Sequence, residues 1–255
     1  MAKINADNYY SLEADRAYFS ASQIKSFLKC ENETLAKLNG DYEQKPSQAL
    51  TIGSYVDACF EGTDVEWLQA HPEVIKRDGT CKAEIQKGMN MYARARLDKT
   101  FMEYCSGETQ RIFLGEIDGY PFKAKFDFYV PGERIVDVKT VRDMEPIYKE
   151  GYGRLSPIEY WNWTLQMAIY QELEGHKLPC YLAIITKEET PDLFLVQIDQ
   201  SVMDAEMEML KERLPRFDAL KRGLIEPERC EKCDWCHISK KIEEPILFKY
   251  MEDDE

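Results

Sequence analysis

The sequence lacks any long apolar run, and this absence excludes one class of protein. No stretch reaches the roughly 20 apolar residues that a membrane-spanning helix requires. Residues 1–16 are polar and charged, without the apolar core of a secretory signal peptide. We therefore expect a soluble, cytoplasmic protein that has no membrane partner.

Positive charge is also outnumbered by negative charge. The chain has 33 Lys and Arg against 47 Asp and Glu, which gives a formal net charge of −14. A surface that coats nucleic acid is basic, so this balance argues against a broad nucleic-acid-binding face. An enzyme that holds DNA in a local cleft is still allowed, because metal-binding carboxylates and the acidic residues 251–255 add negative charge without repelling DNA there.

Residues 122–140 have the pattern of a β-hairpin. Apolar side chains alternate from position 122 to position 130, which predicts a half-buried strand. The side chains expected on its apolar face are those of Phe122, Ala124, Phe126, Phe128 and Val130. Pro-Gly-Glu at 131–133 is turn chemistry, and a second strand follows. A loop of three residues pairs Val130 with Arg134.

This register has an electrostatic consequence. It places Asp127 directly opposite Asp137, and two carboxylates that face each other across a ladder repel. Lys139, two residues farther along the same face, is one compensating charge. A divalent metal is the better one, because hard cations prefer carboxylate oxygens. The alternative is a surface hairpin with its charges in solvent, but the apolar flanks Ile135, Val136 and Val138 favour a central strand.

Further elements surround the hairpin. A strand is predicted at 109–117, and Asp118-Gly119 is a hairpin signal that joins it to the strand at 122–130, so the three strands form a meander. Residues 143–160 are predicted to be an irregular, aromatic-rich loop. The remaining predictions are strands at 180–186 and 193–198 and helices at 18–30, 47–61, 82–104, 160–174 and 200–222.

The order meander, helix, two strands, helix predicts an α/β fold with a mixed central β-sheet flanked by helices. With 44% hydrophobic and 12% aromatic residues, the chain can bury a full core. We predict one domain over residues 1–255. Its core covers about 109–222, with a helical N-terminal part at 1–108 and a Cys-rich segment with an acidic tail at 223–255.

Asp127 followed by Asp137-Val138-Lys139 resembles the active-site hairpin of the PD-(D/E)XK nuclease superfamily, and most of all its RecB-like and RecE-like phage exonuclease branch. The resemblance implies a restriction-endonuclease-like core. It also implies that Asp127, Asp137 and the Val138 carbonyl hold Mg²⁺ or Mn²⁺, which polarises a phosphate and activates a water. Lys139 would position that water or stabilise charge in the transition state.

Two helical motifs extend the resemblance. Gln166 and Tyr170 lie four residues apart on the helix at 160–174 and match a Gln-x-x-x-Tyr pair that lies near the metal and the DNA backbone in the RecB-like branch. Gly53 and Asp57 also lie four apart, where that family has a Gly followed by a metal-ligating His. Aspartate is an oxygen ligand too, so the resemblance implies a metal role for Asp57; a solvent-facing aspartate is the alternative.

Cysteines are plentiful for a chain that lacks a secretory signal. Cys230, Cys233 and Cys236 recur at three-residue spacing, which predicts metal binding. The fourth ligand is either His237, whose adjacency to Cys236 makes joint ligation awkward, or the distant Cys30. The remaining four cysteines are assigned to packing or to chance exposure: Cys59, Cys81, Cys105 and Cys180.

The helix at 18–30, which Ser20 or Ser22 would cap and Cys30 would end, resembles the first helix of RecB-like nucleases that carry an iron–sulfur cluster. Those of the AddB and CRISPR-adaptation types have one cysteine after that helix and three near the C-terminus. The resemblance implies a [4Fe–4S] cluster that ties the chain ends together. The gap between Cys233 and Cys236 is shorter than the family's usual last gap, so zinc, or no metal, stays open.

The resemblance thus implies a metal-dependent DNA exonuclease of phage or prophage recombination. Its expected partners are linear duplex DNA ends, a single-strand annealing protein and further copies of itself. One alternative is a catalytically inactive nuclease-fold module that binds DNA or protein, which Asp57 and the acidic charge motivate. Another is a redox or zinc-stabilised adaptor in which the cysteines are the active part. Digestion polarity, strand preference and oligomeric state do not follow from the sequence.

Overall fold

The computed structural model describes residues 4–44, 47–242, 244–245 and 247, so the acidic residues 251–255 lie outside the described part. Helices make up the N-terminal third and flank the later strands. The α-helices are Leu12–Ala17 (α1), Ala21–Lys29 (α2), Glu31–Asn39 (α3), Gln48–Glu61 (α4), Asp64–Ala70 (α5), Ala83–Arg96 (α6), Lys99–Tyr104 (α7), Pro157–Tyr160 (α8), Trp163–Glu174 (α9), Gln200–Lys221 (α10) and Asp234–Ile238 (α11). The strands are Glu108–Ile117 (β1), Tyr120–Val130 (β2), Arg134–Val141 (β3), Ile147–Lys149 (β4), Gly153–Leu155 (β5), Cys180–Thr186 (β6) and Leu193–Gln197 (β7). No helix in the described part of the chain is long and apolar enough to cross a membrane.

The central sheet has five strands in the order β1-β2-β3-β6-β7. β3 and β6 run parallel and are joined through α9, while the other neighbouring pairs are antiparallel. The predicted mixed sheet flanked by helices is therefore confirmed. The predicted register of the central hairpin is confirmed as well, since Val130 pairs with Arg134 across a three-residue loop.

Both faces of the central strands β3 and β6 are buried. Side chains from one set of alternating positions, including Ile135, Leu182 and Ile184, belong to a large core cluster that also contains residues of α2, α9 and α10. Their neighbours Val136 and Ala183 belong to a second cluster with residues of α4, α6 and α7. Because successive side chains of a strand point to opposite faces, helices cover β3 on both sides. The charge of Asp137, in the middle of β3, is consequently placed inside the protein.

The alternation of β2 breaks at Asp127. Phe122, Ala124 and Phe126 lie in the first core cluster, but Phe128 lies in the second. The prediction that these four residues share a face is therefore wrong for Phe128. The β2–β3 ladder covers only 128–130 against 134–136, whereas β3 stays paired with β6 as far as Val141. β2 thus leaves β3 at Asp127, and this opening gives polar side chains access to the middle of the sheet.

Local caps fix the ends of several elements. Ser20 caps α2 through a bond from the Gln23 amide, as predicted, and Cys30 ends that helix. The single helix predicted at 82–104 is wrong, because the Asp98 side chain starts a second helix by accepting the Phe101 amide.

The loop predicted at 143–160 is also more regular than expected. It contains the β4–β5 hairpin and the short helix α8. The helix starts with a capping box, in which Ser156 and Glu159 satisfy each other's backbone amides.

Candidate active site and cysteine cluster

Asp137 lies in the middle of β3 and is only 1% exposed. Its Oδ1 accepts a hydrogen bond of 2.7 Å from the side-chain amide of Gln166. Its Oδ2 contacts the ammonium of Lys139 but accepts no hydrogen bond of regular geometry from the described residues. A buried carboxylate oxygen left in this state is costly unless a cation compensates it.

Asp127 lies where β2 and β3 part. Its Oδ2 accepts the backbone N–H of Val138 at 2.9 Å, and its Oδ1 lies 3.4 Å from the side-chain nitrogen of Gln110. The side chain thus replaces the interstrand ladder at this point. Burial raises its pKa well above the ordinary value, and the nearby carboxylates of Asp137 and Asp57 raise it further.

Asp57 approaches the same region from α4. A methyl group placed on Gly53 would come within 3.3 Å of the hydroxyl of Thr140, so the glycine allows α4 to pack closely on β3. Burial raises the pKa of Asp57 to about 7, while Lys139 opposes this shift and Asp137 adds to it. Asp57 is therefore partly buried and in the field of the other two carboxylates, and the predicted solvent-facing alternative does not describe its position.

A small cleft lies between Asp57 and Asp127. Besides these two residues it is lined by Phe60, Glu61, Gln110, Phe128 and Val138. Glu61 adds a fourth carboxylate that the sequence pattern did not single out, and burial raises its pKa too. One turn of α4 separates it from Asp57, so the helical spacing was the signal that could have identified it.

The carboxylate oxygens of Asp57, Asp127 and Asp137 do not all lie within metal-ligand distance of one another. Among the described residues, a group of Cys, His, Asp or Glu ligand atoms that all lie within 4.8 Å of one another occurs at the cysteines and not at Asp57, Asp127 and Asp137. Lys139 lies among the carboxylates instead. Burial would lower its pKa, but the charges of Asp137 and Asp127 outweigh burial and raise it. Lys139 therefore supplies the compensating charge while the carboxylates remain apart.

Gln166 and Tyr170 project from α9 onto this region. The Gln166 amide nitrogen donates to the Tyr170 hydroxyl at 2.9 Å as well as to Asp137. Tyr170 packs on Phe126 with ring centroids 4.6 Å apart. Burial raises the pKa of Tyr170 well above its ordinary value, and the charges of Asp137 and Asp127 raise it further. The phenol therefore stays protonated.

Lys25 of α2 is a functional candidate that the sequence did not reveal. Its ammonium donates to the amide oxygen of Gln166 at 2.7 Å and so fixes which end of that amide faces Asp137. Burial lowers its pKa to about 7, with help from Lys139 and against the effect of Asp137. The contact joins residues 141 positions apart, so no local pattern signals it.

The four cysteines of the predicted metal site come together. Cys30, at the junction of α2 and α3, lies 3.6 Å from Cys236 and 3.8 Å from Cys233, measured between sulfurs. Cys230 lies 4.0 Å from Cys236. The ring of His237 instead contacts the Glu231 carbonyl at 3.2 Å. The structure thus brings Cys30, and not His237, to the other three thiols.

Comparisons with known proteins agree with this architecture. The model of the family described as "PDDEXK-like domain of unknown function (DUF3799)" matches residues 20–239. A crystal structure from Eubacterium rectale, titled "Putative exonuclease", is similar to this chain with a TM-score of 0.93 and 35% identity over 97% of each chain. The crystal structure of SSO0001 has a TM-score of 0.28 and 16% identity to this chain, and the match covers 73% of this chain and 84% of that chain. This score is too low to indicate a shared fold. No curated protein is similar enough to count as a match.

The family match covers most of the chain, and the related crystal structure shares its whole fold. The hairpin of β2 and β3, with Asp127, Asp137 and Lys139 at its opening, lies inside the matched range. The chain therefore belongs to the DUF3799 family of PDDEXK-like domains, within the PD-(D/E)XK nuclease superfamily.

Proposed function

We propose that the protein is a metal-dependent exonuclease that hydrolyses phosphodiester bonds at the ends of linear DNA. The observation that carries the proposal is the buried carboxylate of Asp137, which pairs with Lys139 in the field of Asp127 and Asp57, where β2 and β3 part. The family is nuclease-like, and the similar protein from Eubacterium rectale is described as a "Putative exonuclease". The net charge of −14 argues against a broad DNA-binding face, so DNA would be bound in a local cleft.

The donor set fits a hard divalent cation. Carboxylate and carbonyl oxygens are the ligands that Mg²⁺ and Mn²⁺ prefer, and Asp127, Asp137, Asp57 and the Val138 carbonyl would supply them. Burial and the charges of Asp137 and Asp57 keep the pKa of Asp127 raised although Lys139 lowers it, so a divalent cation would add stabilisation to that of Lys139. When bound, such an ion polarises the scissile phosphate and lowers the pKa of a coordinated water.

The chain's own groups have distinct parts in this proposal. Lys139 stays protonated because the carboxylates raise its pKa, so it can hold a phosphate oxygen and stabilise the negative charge that develops there. Gln166 orients Asp137 through the 2.7 Å bond, and the same amide nitrogen also donates to the Tyr170 hydroxyl. Lys25 keeps the Gln166 amide in the orientation that donates to Asp137.

The biological setting is proposed from the resemblance to phage exonucleases. It consists of phage or prophage recombination, in which DNA ends are digested and a single-strand annealing protein takes over the exposed strand. A homo-oligomer is part of the same proposal. The protein would then require free DNA ends and leave covalently closed DNA intact.

The test is a timed digestion of end-labelled linear duplex DNA and of covalently closed circular DNA, with and without Mg²⁺. We expect the linear DNA to be degraded only when Mg²⁺ is present, and the closed circular DNA to stay intact in both cases. Asp137→Asn removes the charge while keeping the shape, so it should abolish digestion. Glu116→Gln changes an exposed carboxylate of the same sheet and should digest normally.

Three outcomes would contradict the proposal. Undiminished digestion by Asp137→Asn would remove this carboxylate from the reaction. Equal cutting of the closed circle would indicate an endonuclease. Binding of linear DNA without metal-dependent loss of label would support the inactive binding module instead.

A further inference from the structure

The cysteine cluster, which we define as Cys30, Cys230, Cys233 and Cys236, carries an inference about its metal that does not depend on the nuclease proposal. The family resemblance points to a [4Fe–4S] cluster, whereas the structure brings the four sulfurs unusually close. All four lie within 4.8 Å of one another, and the three closest contacts are 3.6, 3.8 and 4.0 Å. All four are free thiols, so a disulfide does not explain the closeness.

The spacing of the sulfurs discriminates between a single ion and a cluster. Zn–S bonds of about 2.3 Å in tetrahedral geometry put neighbouring sulfurs about 3.8 Å apart. In a [4Fe–4S] cluster each thiolate binds a different iron, so the width of the inorganic cube separates the sulfurs further. The observed contacts of 3.6 to 4.0 Å match the single ion and leave no room for the cube.

The backbone around the cluster is also arranged for thiolates. The amides of Lys232 and Cys233 point at the sulfur of Cys230, at 3.4 and 3.3 Å, and the amide of Cys236 points at the sulfur of Cys233 at 3.4 Å. In each Cys-x-x-Cys step, the sulfur of the first cysteine thus faces one or two backbone N–H donors. On the other side of the cluster, the amide of Glu33 points at Cys30 at 3.4 Å. Such donors stabilise a negative sulfur, which is the form that binds metal.

The neighbouring contacts join the two chain segments without involving the cysteines. Arg216 pairs with Glu31 at 2.7 Å, and the amide of Glu228 donates to the same carboxylate at 2.8 Å. The rings of Tyr42 and Trp235 lie 5.4 Å apart. The segment that carries the last three cysteines is therefore already docked against α3, beside Cys30.

We propose that the cysteine cluster holds one Zn²⁺ in a closed tetrahedral site and not a [4Fe–4S] cluster. Four protein ligands complete the coordination of zinc, so the ion is structural and takes no part in the hydrolysis. It cross-links the α2–α3 junction to the segment before α11.

The test is metal analysis of the full chain, purified without oxygen from cells supplied with both zinc and iron. We expect about one zinc per chain, no acid-labile sulfide and no colour. Asp137→Asn should keep the zinc, which shows that the ion is not in the carboxylate site. Cys81→Ser, at a partly buried cysteine outside the cluster, should keep it as well.

Cys233→Ser should lose more than half of the zinc. The stoichiometry of the unmodified protein decides the question even if that variant fails to fold. Iron and sulfide at about four each per chain would overturn the proposal, as would a protein without stoichiometric metal. Retention of zinc by Cys233→Ser would overturn it too. None of these results depends on DNA digestion, so failure here would leave the nuclease proposal standing.

Discussion

The two proposed metal sites of this protein are built in opposite ways. The carboxylate site, which comprises Asp57, Asp127, Asp137 and Lys139, is assembled from α4 and two central strands, and its carboxylates stay apart with a lysine among them. The cysteine cluster is assembled from the ends of helices and a loop, and its four sulfurs already lie at the spacing of a closed tetrahedral ion. Backbone N–H groups point at the sulfurs of the cluster, whereas the carboxylates of the other site repel one another.

This difference separates stability from activity. A site in which the protein supplies all four ligands at the correct spacing can hold an ion permanently. A site in which a single lysine lies among three mutually repelling carboxylates gains most when a cation and a phosphate arrive together. We therefore expect substitutions in the two sites to have effects that do not overlap.

The largest expected effect is on catalysis at the carboxylate site. Asp127→Asn should lower Mg²⁺-dependent digestion of linear DNA on the order of a thousandfold, because it removes several kcal/mol of charge stabilisation. Its zinc content should stay that of the unmodified protein. Asp118→Asn, in the exposed turn between β1 and β2, is the matched control and should digest normally. Loss of zinc together with activity would show that the two sites are not independent.

The converse substitution should affect stability. Cys233→Ser should lower the free energy of unfolding by about 2 kcal/mol or more, or roughly 4 to 8 °C in Tm, because it removes a ligand of the structural ion. Digestion per folded molecule, measured well below Tm, should change less than about twofold. A variant that unfolds at the original temperature would argue that the cysteine cluster contributes nothing to the fold.

How far the sequence predicted these sites differs between them. The register of the hairpin followed from alternation and a three-residue turn, and the cysteine spacing indicated a metal site directly. Phe128 was misplaced, because the departure of β2 from β3 at Asp127 reverses the alternation and is set by tertiary packing. The second helix at Asp98 was missed although aspartate is a common N-cap.

Lys25 shows more clearly what cannot be predicted from the sequence. Its partner Gln166 lies 141 residues away, and a lysine on an amphipathic helix normally indicates solvent exposure. Only the packing of α2 against α9 brings its ammonium to the active-site amide. Residues that orient other residues in this way leave no local signature, so the structure was needed to find this one.

Lys25→Met should have an intermediate effect on the activity of the carboxylate site. We expect a loss of about tenfold in digestion rate, because a freed Gln166 amide can turn and present its oxygen to Asp137, and supporting partners of metal ligands typically contribute roughly 10- to 100-fold. The Mg²⁺ concentration for half-maximal activity should rise as well. Lys29→Met, at an exposed lysine of the same helix, is the control and should leave both quantities unchanged.

The smallest effect concerns the pH dependence of stability. The pKa of Lys25 is lowered to about 7 in the folded protein from its ordinary value of 10.5, so the unfolded chain binds more protons between these two pH values. Stability should therefore rise with pH in this window, by on the order of 1 kcal/mol per pH unit in the difference between the unmodified protein and Lys25→Met. Denaturant unfolding at pH 7 and pH 9 measures it; equal pH dependence in both proteins would contradict the burial of this charge.

The most direct measurement of the central claim is a crystal structure grown with Mn²⁺ and examined for anomalous scattering. The account predicts a peak about 2.0 to 2.5 Å from carboxylate oxygens of both Asp127 and Asp137, with the Lys139 ammonium displaced from Asp137. A structure that keeps the contact between Lys139 and Asp137 at saturating Mn²⁺, with no anomalous peak between the two aspartates, would contradict it.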